Sequence, residues 1–524
     1  MGLAARVSAT ERVTGRHDVR LIAGLLGLAV LAFAIRFVGL AFGGGLDSRI
    51  YLDDGTYFAG AIAFVNGRMP YRDFSILHPP GLLYVLAPFA QIGTMTTEMT
   101  GLVLARLAFM ILGAVNTVLV GLVGARVSRA TGLAAAALYA VWVLAMTGER
   151  STMLLAPQVM AMLVALLALT GRSAAELTPR RVAVAGVAIG ITGAVQIWAA
   201  IPAIVILAWL ILQTRSRGRD AVRVAATYVL SGAATTALLL SPTLLAAGPR
   251  MFQMIIFAQA TRIPGEAADY ITQHTLITVP VSRLRILEGM DALPLGIHVR
   301  LAAVLLLAVA GAGLVLLVAR RVPAVRLWAA IAASQLAVIM LMPVFLVHYR
   351  GWPAPLMALC LGAVIAYGLE RLPAHRRAIG ATAYAVVLVL LATTSLRPAG
   401  SRPFLDADMP DLSTARCVIA DEGYVAIRTH TLVRALQNGC RVVPNPRSFS
   451  HLNNALSGGP ALAKTEQDQY QQASIVYYTS ADVVLLSQLQ NDGLTDATMA
   501  ALRAEFPFEE QVGKVLVLRR EPRS

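Results

Sequence analysis

The segment Ile50-Tyr-Leu-Asp-Asp-Gly-Thr-Tyr-Phe58, continued to Leu77-His-Pro-Pro-Gly81, decides how this chain is read. Two adjacent carboxylates, Asp53 and Asp54, follow closely on the first long apolar run. Hydrocarbon cannot solvate a carboxylate, so acidic residues where a membrane helix meets water are costly to keep without a use. A pair in that place is suited to binding a cation or to taking up a proton.

The remaining composition supports a membrane setting. Of 524 residues, 57% are hydrophobic and only 14% are charged, with a mean hydropathy of +0.67. A soluble domain carries about 25% charged residues, so the composition is that of a polytopic membrane protein. The net charge of +15 is almost entirely arginine, since lysine occurs only at Lys464 and Lys514. Abundant alanine and arginine with so little lysine also hints at a GC-rich bacterial genome. The arginines cluster in short loops between apolar runs, which is the positive-inside pattern of cytoplasmic loops. The basicity is therefore read as topology, with no nucleic-acid partner.

Eleven apolar spans follow from the roughly 20-residue requirement for crossing a bilayer. They lie at about 21–42, 102–125, 131–148, 152–170, 182–196, 199–213, 224–246, 299–319, 327–347, 353–369 and 378–396. The run Val182 to Thr214 is too long for one crossing and is read as two short helices turning near Ile197 to Pro202. Arg6, Arg12, Arg16 and Arg20 precede the first span, which lacks a signal-peptide cleavage site. The N-terminus is thus expected in the cytoplasm of a multi-pass plasma-membrane protein. Outer loops are expected at 43–101 and 247–298. Residues 1–397 would form the membrane domain and 398–524 an extracytoplasmic domain.

The tail reads as a small α/β unit. Strands are expected at Cys417–Ala420, Arg441–Pro444, Ile475–Tyr478, Asp482–Leu486 and Val515–Leu518, with helices near Tyr424–Leu436 and Thr495–Glu505. Alternation of the two suggests a mainly parallel sheet. If Cys417 and Cys440 begin neighbouring strands about 4.8 Å apart, they come within disulfide range. Cys360, inside a span, is read as packing.

The first outer loop has a recognisable order: Arg36 near the end of span one, Asp53-Asp54, a short amphipathic helix at about Thr56–Asn66, then Arg68, Arg72-Asp73 and His78-Pro-Pro-Gly81. This resembles the GT-C superfamily of membrane glycosyltransferases, in particular users of polyprenyl-phosphate sugars such as protein O-mannosyltransferases, lipid A aminoarabinose transferases and glycosyltransferase family 87. The resemblance implies an α-helical polytopic GT-C fold of about eleven spans with an extracytoplasmic α/β domain. It further implies an inverting glycosyltransferase that moves a sugar from a polyprenyl phosphate to a cell-envelope glycan, glycolipid or protein. Mannose or arabinofuranose is the expected sugar, in an actinobacterial setting.

By the same resemblance Asp53 is the catalytic base. A carboxylate within reach of an acceptor hydroxyl can remove its proton as it attacks the anomeric carbon. Asp54 is assigned to the catalytic pair as support for Asp53 or as a helix N-cap. Relatives often carry lysine where this chain has His78, so His78 is a candidate ligand for the donor phosphate. Arg262, Arg283 and Arg285 in the second outer loop, and His348 and Arg350 in a short outer turn, are further candidates, because guanidinium suits phosphate. Glu149-Arg150 reads either as an isolated ion pair or as a cavity lining. No cofactor is expected; a divalent metal is left open but not favoured, because an adjacent acidic pair fits the metal-independent users of monophosphate lipids.

Two rivals stand beside this reading: a transporter or flippase for lipid-linked sugars, and a non-catalytic binding scaffold. A transporter should carry ionisable residues near the middle of several spans. The spans here read as nearly free of charge, which favours the transferase.

Overall fold

The structure, a computed structural model, describes residues 19–170, 177–261, 295–341, 347–396, 411–457, 462–487 and 493–521. Each of the eleven apolar runs is helical. In chain order the helices are α1 (Val19–Ala41), α2 (Leu52–Val65), α3 (Gly81–Met95), α4 (Glu98–Gly124), α5 (Arg129–Val141), α6 (Leu155–Leu169) and α7 (Pro179–Val195). They continue with α8 (Ala200–Thr214), α9 (Arg219–Ala247), α10 (Leu295–Ala319), α11 (Pro323–Leu341), α12 (Ala354–Arg371) and α13 (Ala374–Ser395). Among the described residues, seven helical stretches are long and apolar enough to cross a membrane, and four shorter apolar helices accompany them.

The run from Val182 to Thr214 divides where the sequence reading placed its turn. Gln196 leaves α7 in an extended conformation, and a 3-10 turn at Ile197–Ala199 leads into α8. Lipid tails supply no hydrophobic drive between helices, so close packing depends on small residues. The α7–α9 contact illustrates this: a β-carbon on Gly190 would lie 2.5 Å from the Gly232 carbonyl oxygen.

The tail departs from the expected sheet. Its strands β1 (Val418–Ala420), β2 (Val483–Leu486), β3 (Phe508–Val512) and β4 (Val515–Arg519) stand in the order β1-β2-β4-β3. Among the described strands β1 and β2 form the one parallel pair; β4 pairs antiparallel with both β2 and β3, so β4 alone runs against the other three. The cause is local. Gly513, at a φ of 58°, allows a tight hairpin between β3 and β4, and a hairpin can only return antiparallel.

Ile475–Tyr478 is helical rather than extended. It ends the helix Asp468–Tyr478, which buries Tyr470, Gln471, Ser474, Tyr477 and Tyr478, a helical spacing that overrides the β-preference of Ile, Val and Tyr. Arg441–Pro444 joins no strand. A disulfide joins Cys417 to Cys440 with Cα atoms 5.8 Å apart. Cys440 reaches it from a loop after Gly439, whose φ of 77° turns the chain, and not from a neighbouring strand.

The tail does not stand apart from the bundle. A single apolar core takes in Tyr57, Phe58 and Ile62 of α2, Leu83 of α3, Leu102 of α4, and Tyr424, Val425, Leu485 and Val517 of the tail. The second large core takes in no residue of the tail and lies around Trp328, Leu163 and Leu359.

Candidate active site

The helix α2 begins at Leu52, earlier than the sequence reading set it, and places both carboxylates in its first turn. Unpaired N–H groups at a helix N-terminus favour negative charge there. The N-cap is Tyr51, with no side-chain capping bond, so Asp54 is not a cap. The helix is also not amphipathic as expected: Asp54 to Ala63 are all buried, because the tail covers the face that the sequence left to solvent.

The two carboxylates have opposite environments. Asp54 is fully buried. Its Oδ2 accepts from Arg106 Nε at 3.1 Å and also from Arg106 Nη2. Its Oδ1 accepts from the Thr152 N–H at 2.7 Å and lies 2.7 Å from the Thr152 hydroxyl. A guanidinium fork on one oxygen and two donors on the other exhaust its acceptor capacity. Asp53, one residue earlier, is partly exposed and has no hydrogen bond or ion pair among the described residues. Of the pair, Asp53 alone has lone pairs open to a substrate.

The structure brings two further sequence candidates, His78 and His348, to the start of α2. His78 is buried, with its ring edge-on to Tyr57 at 5.8 Å between centroids. Its carbonyl accepts from Tyr71 Oη at 2.6 Å, and the preceding Leu77 carbonyl accepts from Gln259 Nε2 at 2.7 Å. Burial pushes the Tyr71 phenol well above its usual range, so it remains a donor. His348 is buried, 6.0 Å from the Tyr51 ring and 4.7 Å from the Tyr349 ring. Arg350 is buried in the same turn. Arg262, Arg283 and Arg285 lie outside the described residues. Arg72 and Asp73 pair with each other at 2.8 Å on the surface.

Next to His78, Pro79 helps to line an apolar cavity of about 390 Å³. Its other walls come from α7, α8, α9 and the segment Phe252–Ile256, including Gly190, Ile197, Leu207, Val229 and Ile255.

Arg106 and Thr152 were missed in the sequence reading. Arg106 had a signal, a lone charge within the apolar run of α4; Thr152 had none. Glu149-Arg150 proves to be neither alternative offered by the sequence. Glu149 is buried against Arg36, Asn116 and Tyr139, while Arg150 reaches the Ser395 carbonyl of α13. The helices are therefore not as free of charge as they read, but the arginines buried inside them, Arg36 and Arg106, are each paired with a carboxylate, Glu149 and Asp54. Among the described residues, no group of three or more His, Cys, Asp or Glu is gathered to hold a metal ion.

No family model matches the sequence, and no curated protein matches it. The fold does have solved counterparts. The Archaeoglobus fulgidus oligosaccharyltransferase, in complex with Zn and sulfate, matches over 92% of this chain and 69% of its own, with a TM-score of 0.54 at 14% identity. ArnT from Cupriavidus metallidurans in the apo state matches over 95% of this chain and 98% of its own, with a TM-score of 0.51 at 14% identity. The same ArnT bound to undecaprenyl phosphate gives 0.50 at 13% identity, over 96% and 98% of the two chains. At such identities the likeness is one of architecture: the chain has the fold of the GT-C glycosyltransferases, a polytopic helical bundle with a C-terminal domain that includes a small sheet.

Proposed function

We propose that the chain is an inverting glycosyltransferase that passes a sugar, mannose or arabinofuranose, from a polyprenyl phosphate to a cell-envelope glycan, glycolipid or protein. The observation that carries this reading is the division between the two carboxylates. Asp54 is locked by Arg106 and Thr152, and this leaves Asp53 presented on a rigid helix with its oxygens uncommitted. A general base has to be within hydrogen-bond reach of the hydroxyl it deprotonates and must not already be engaged.

In this reading Asp53 takes the acceptor proton as the acceptor oxygen attacks the anomeric carbon, and the sugar–phosphate bond breaks with inversion. The leaving lipid phosphate keeps the bonding electrons and needs cationic or donor groups nearby. His78, His348 and Arg350 are the described residues proposed for that role. The apolar cavity beside Pro79 suits the first isoprene units of the donor, and its position next to His78 would bring the phosphate to the imidazole. The start of α2 and the tail would face the extracytoplasmic side of the plasma membrane, with the N-terminus in the cytoplasm.

The test is sugar transfer by the purified protein from a series of polyprenyl-phosphate sugars to an envelope-glycan extract, with Asp53→Asn alongside. Transfer from one donor is expected, falling by about 10²- to 10⁴-fold in Asp53→Asn with donor binding retained. Transfer that survives the substitution would move the base elsewhere. Donor binding without transfer would favour the carrier or scaffold.

A further inference from the structure

Residues on either side of Asp53 are held by different parts of the molecule. Asp54 belongs to the bundle through Arg106 and Thr152. Gly55 belongs to the tail: a β-carbon placed on it would lie 2.6 Å from both the backbone nitrogen and the β-carbon of Tyr424. The contact is mutual, since a β-carbon on Gly423 would lie 2.7 Å from the Gly55 carbonyl oxygen. Only two glycines allow backbones to approach this closely, so the helix Gly423–Arg428 rests directly on the first turn of α2.

The chain leading into α2 is held by the same corner of the tail. Arg49, four residues before Asp53, donates from Nε to Glu422 Oε1 at 2.7 Å. The other carboxylate oxygen of Glu422 lies 3.3 Å from the Ser487 hydroxyl, and Ser487 also donates its N–H to Asp421 at 2.7 Å. Asp421 and Glu422 follow β1 and Ser487 follows β2, so the sheet fixes the carboxylate that holds Arg49. Around this point Tyr424 Oη donates to the Asp47 carbonyl at 2.8 Å, and Arg428 meets the Asp47 carboxylate at 3.0 Å. Glu98, the first residue of α4, accepts from the Val433 N–H at 3.0 Å and meets His430 at 3.0 Å.

We infer that the tail is a positioning element of the active site, and that Glu422 and Gly423 are positioning residues which set the place of Asp53 through Arg49 and Gly55. The inference rests on the transferase reading above for its kinetic part. The bundle holds Asp53 from one side and the tail from the other, so the segment 49–55 cannot shift unless one grip is released. A misplacement of about 1 Å can cost on the order of 10²-fold in rate. Loss of the tail's grip should therefore lower kcat, whereas the donor pocket, built from Pro79, α7–α9 and the segment Phe252–Ile256, is left as it was.

The experiment uses the full chain in lipid nanodiscs with Glu422→Gln, which keeps the shape and loses the charge, and Gly423→Ala, which forces the two backbones apart. Amide exchange and steady-state kinetics are measured on each. Expected is faster exchange confined to about residues 47–58, with α4 and α12 unchanged, and a fall in kcat of about 10- to 100-fold with the donor KM within about twofold. Unchanged exchange at 47–58 would overturn the inference, as would faster exchange with an unaltered kcat. A rise in donor KM that accounts for the whole loss would also overturn it. If the parent protein transfers sugar from no donor, the functional reading fails, while the exchange data still decide whether the tail holds the start of α2.

Discussion

Arg36 of α1 and Glu149, 113 residues later, form a buried ion pair with Nε 2.9 Å from Oε2. The pair is fully furnished. Arg36 Nη1 donates to the carbonyls of Ala32 at 2.9 Å and Ala140 at 3.2 Å. Glu149 Oε1 accepts from Asn116 and from Tyr139, each at 2.8 Å. Three residues on from Glu149, Thr152 grips Asp54. The turn 149–152 thus ties α1, α4 and α5 to the start of α2, and charges that would be costly alone in a membrane bundle are placed where each satisfies the other.

Removing one member leaves the other buried without a counter-charge. Arg36→Leu is expected to destabilise the protein by about 3–5 kcal/mol, read as a lower midpoint in detergent thermal unfolding. The double variant Arg36→Leu/Glu149→Gln should lose less than Arg36→Leu alone. A double variant at least as unstable as the single would show that the charge pair is not what holds the turn.

Arg106→Leu should behave in the same way, because Asp54 is left buried with half its donors gone. A loss of about 3–5 kcal/mol is expected, along with sugar transfer reduced at least as much as in Asp53→Asn. Asp54→Asn keeps the shape but offers its amide nitrogen to groups that are all donors, so it should also lose both stability and transfer. A stable and active Asp54→Asn protein would mean that Asp54 does not anchor Asp53.

Burial pushes the phenol of Tyr424 up to about 12 from a usual value of 10.0. The docked tail therefore favours the neutral form, which donates to the Asp47 carbonyl. For a group raised on folding, the stabilisation is complete below the unfolded pKa and disappears as pH rises through the folded one. The contribution is intact below about pH 10 and lost as pH climbs towards 12. Tyr424→Phe should be less stable than the parent at pH 8, and the gap should narrow between pH 10 and 12. A gap that stays constant across that window would rule out titration of this phenol.

The Cys417–Cys440 bridge closes a loop with a sequence separation of 23 residues. On the chain-entropy account a loop of this size contributes about 3 kcal/mol. Cys417→Ser/Cys440→Ser should lower the unfolding midpoint of the tail, and mild reductant should do the same to the parent only. No response to reductant in the parent would show that the bridge is not formed in the protein.

The parts of this protein that could be read from sequence are those set by local physics. Whether a run of residues can leave water is a property of the run itself, so all eleven apolar spans appear as helices, down to the break between α7 and α8 near Ile197. The position of Asp53-Asp54 after the first span was legible for the same reason. The resemblance had already set Asp53 as base and Asp54 as its support; tertiary structure alone decided what binds Asp54, because it finds Arg106 and Thr152 at separations of 52 and 98 residues, and hydropathy does not say which distant residues will meet. The same holds for Arg36 with Glu149 and for Arg49 with Glu422. In the tail, strand candidates came from composition, but Ile475–Tyr478 became helix and β4 turned antiparallel, since helical spacing and a glycine hairpin outweighed residue preference. Burial propensity is written along the chain; the pairing of buried charges is fixed only when distant segments meet.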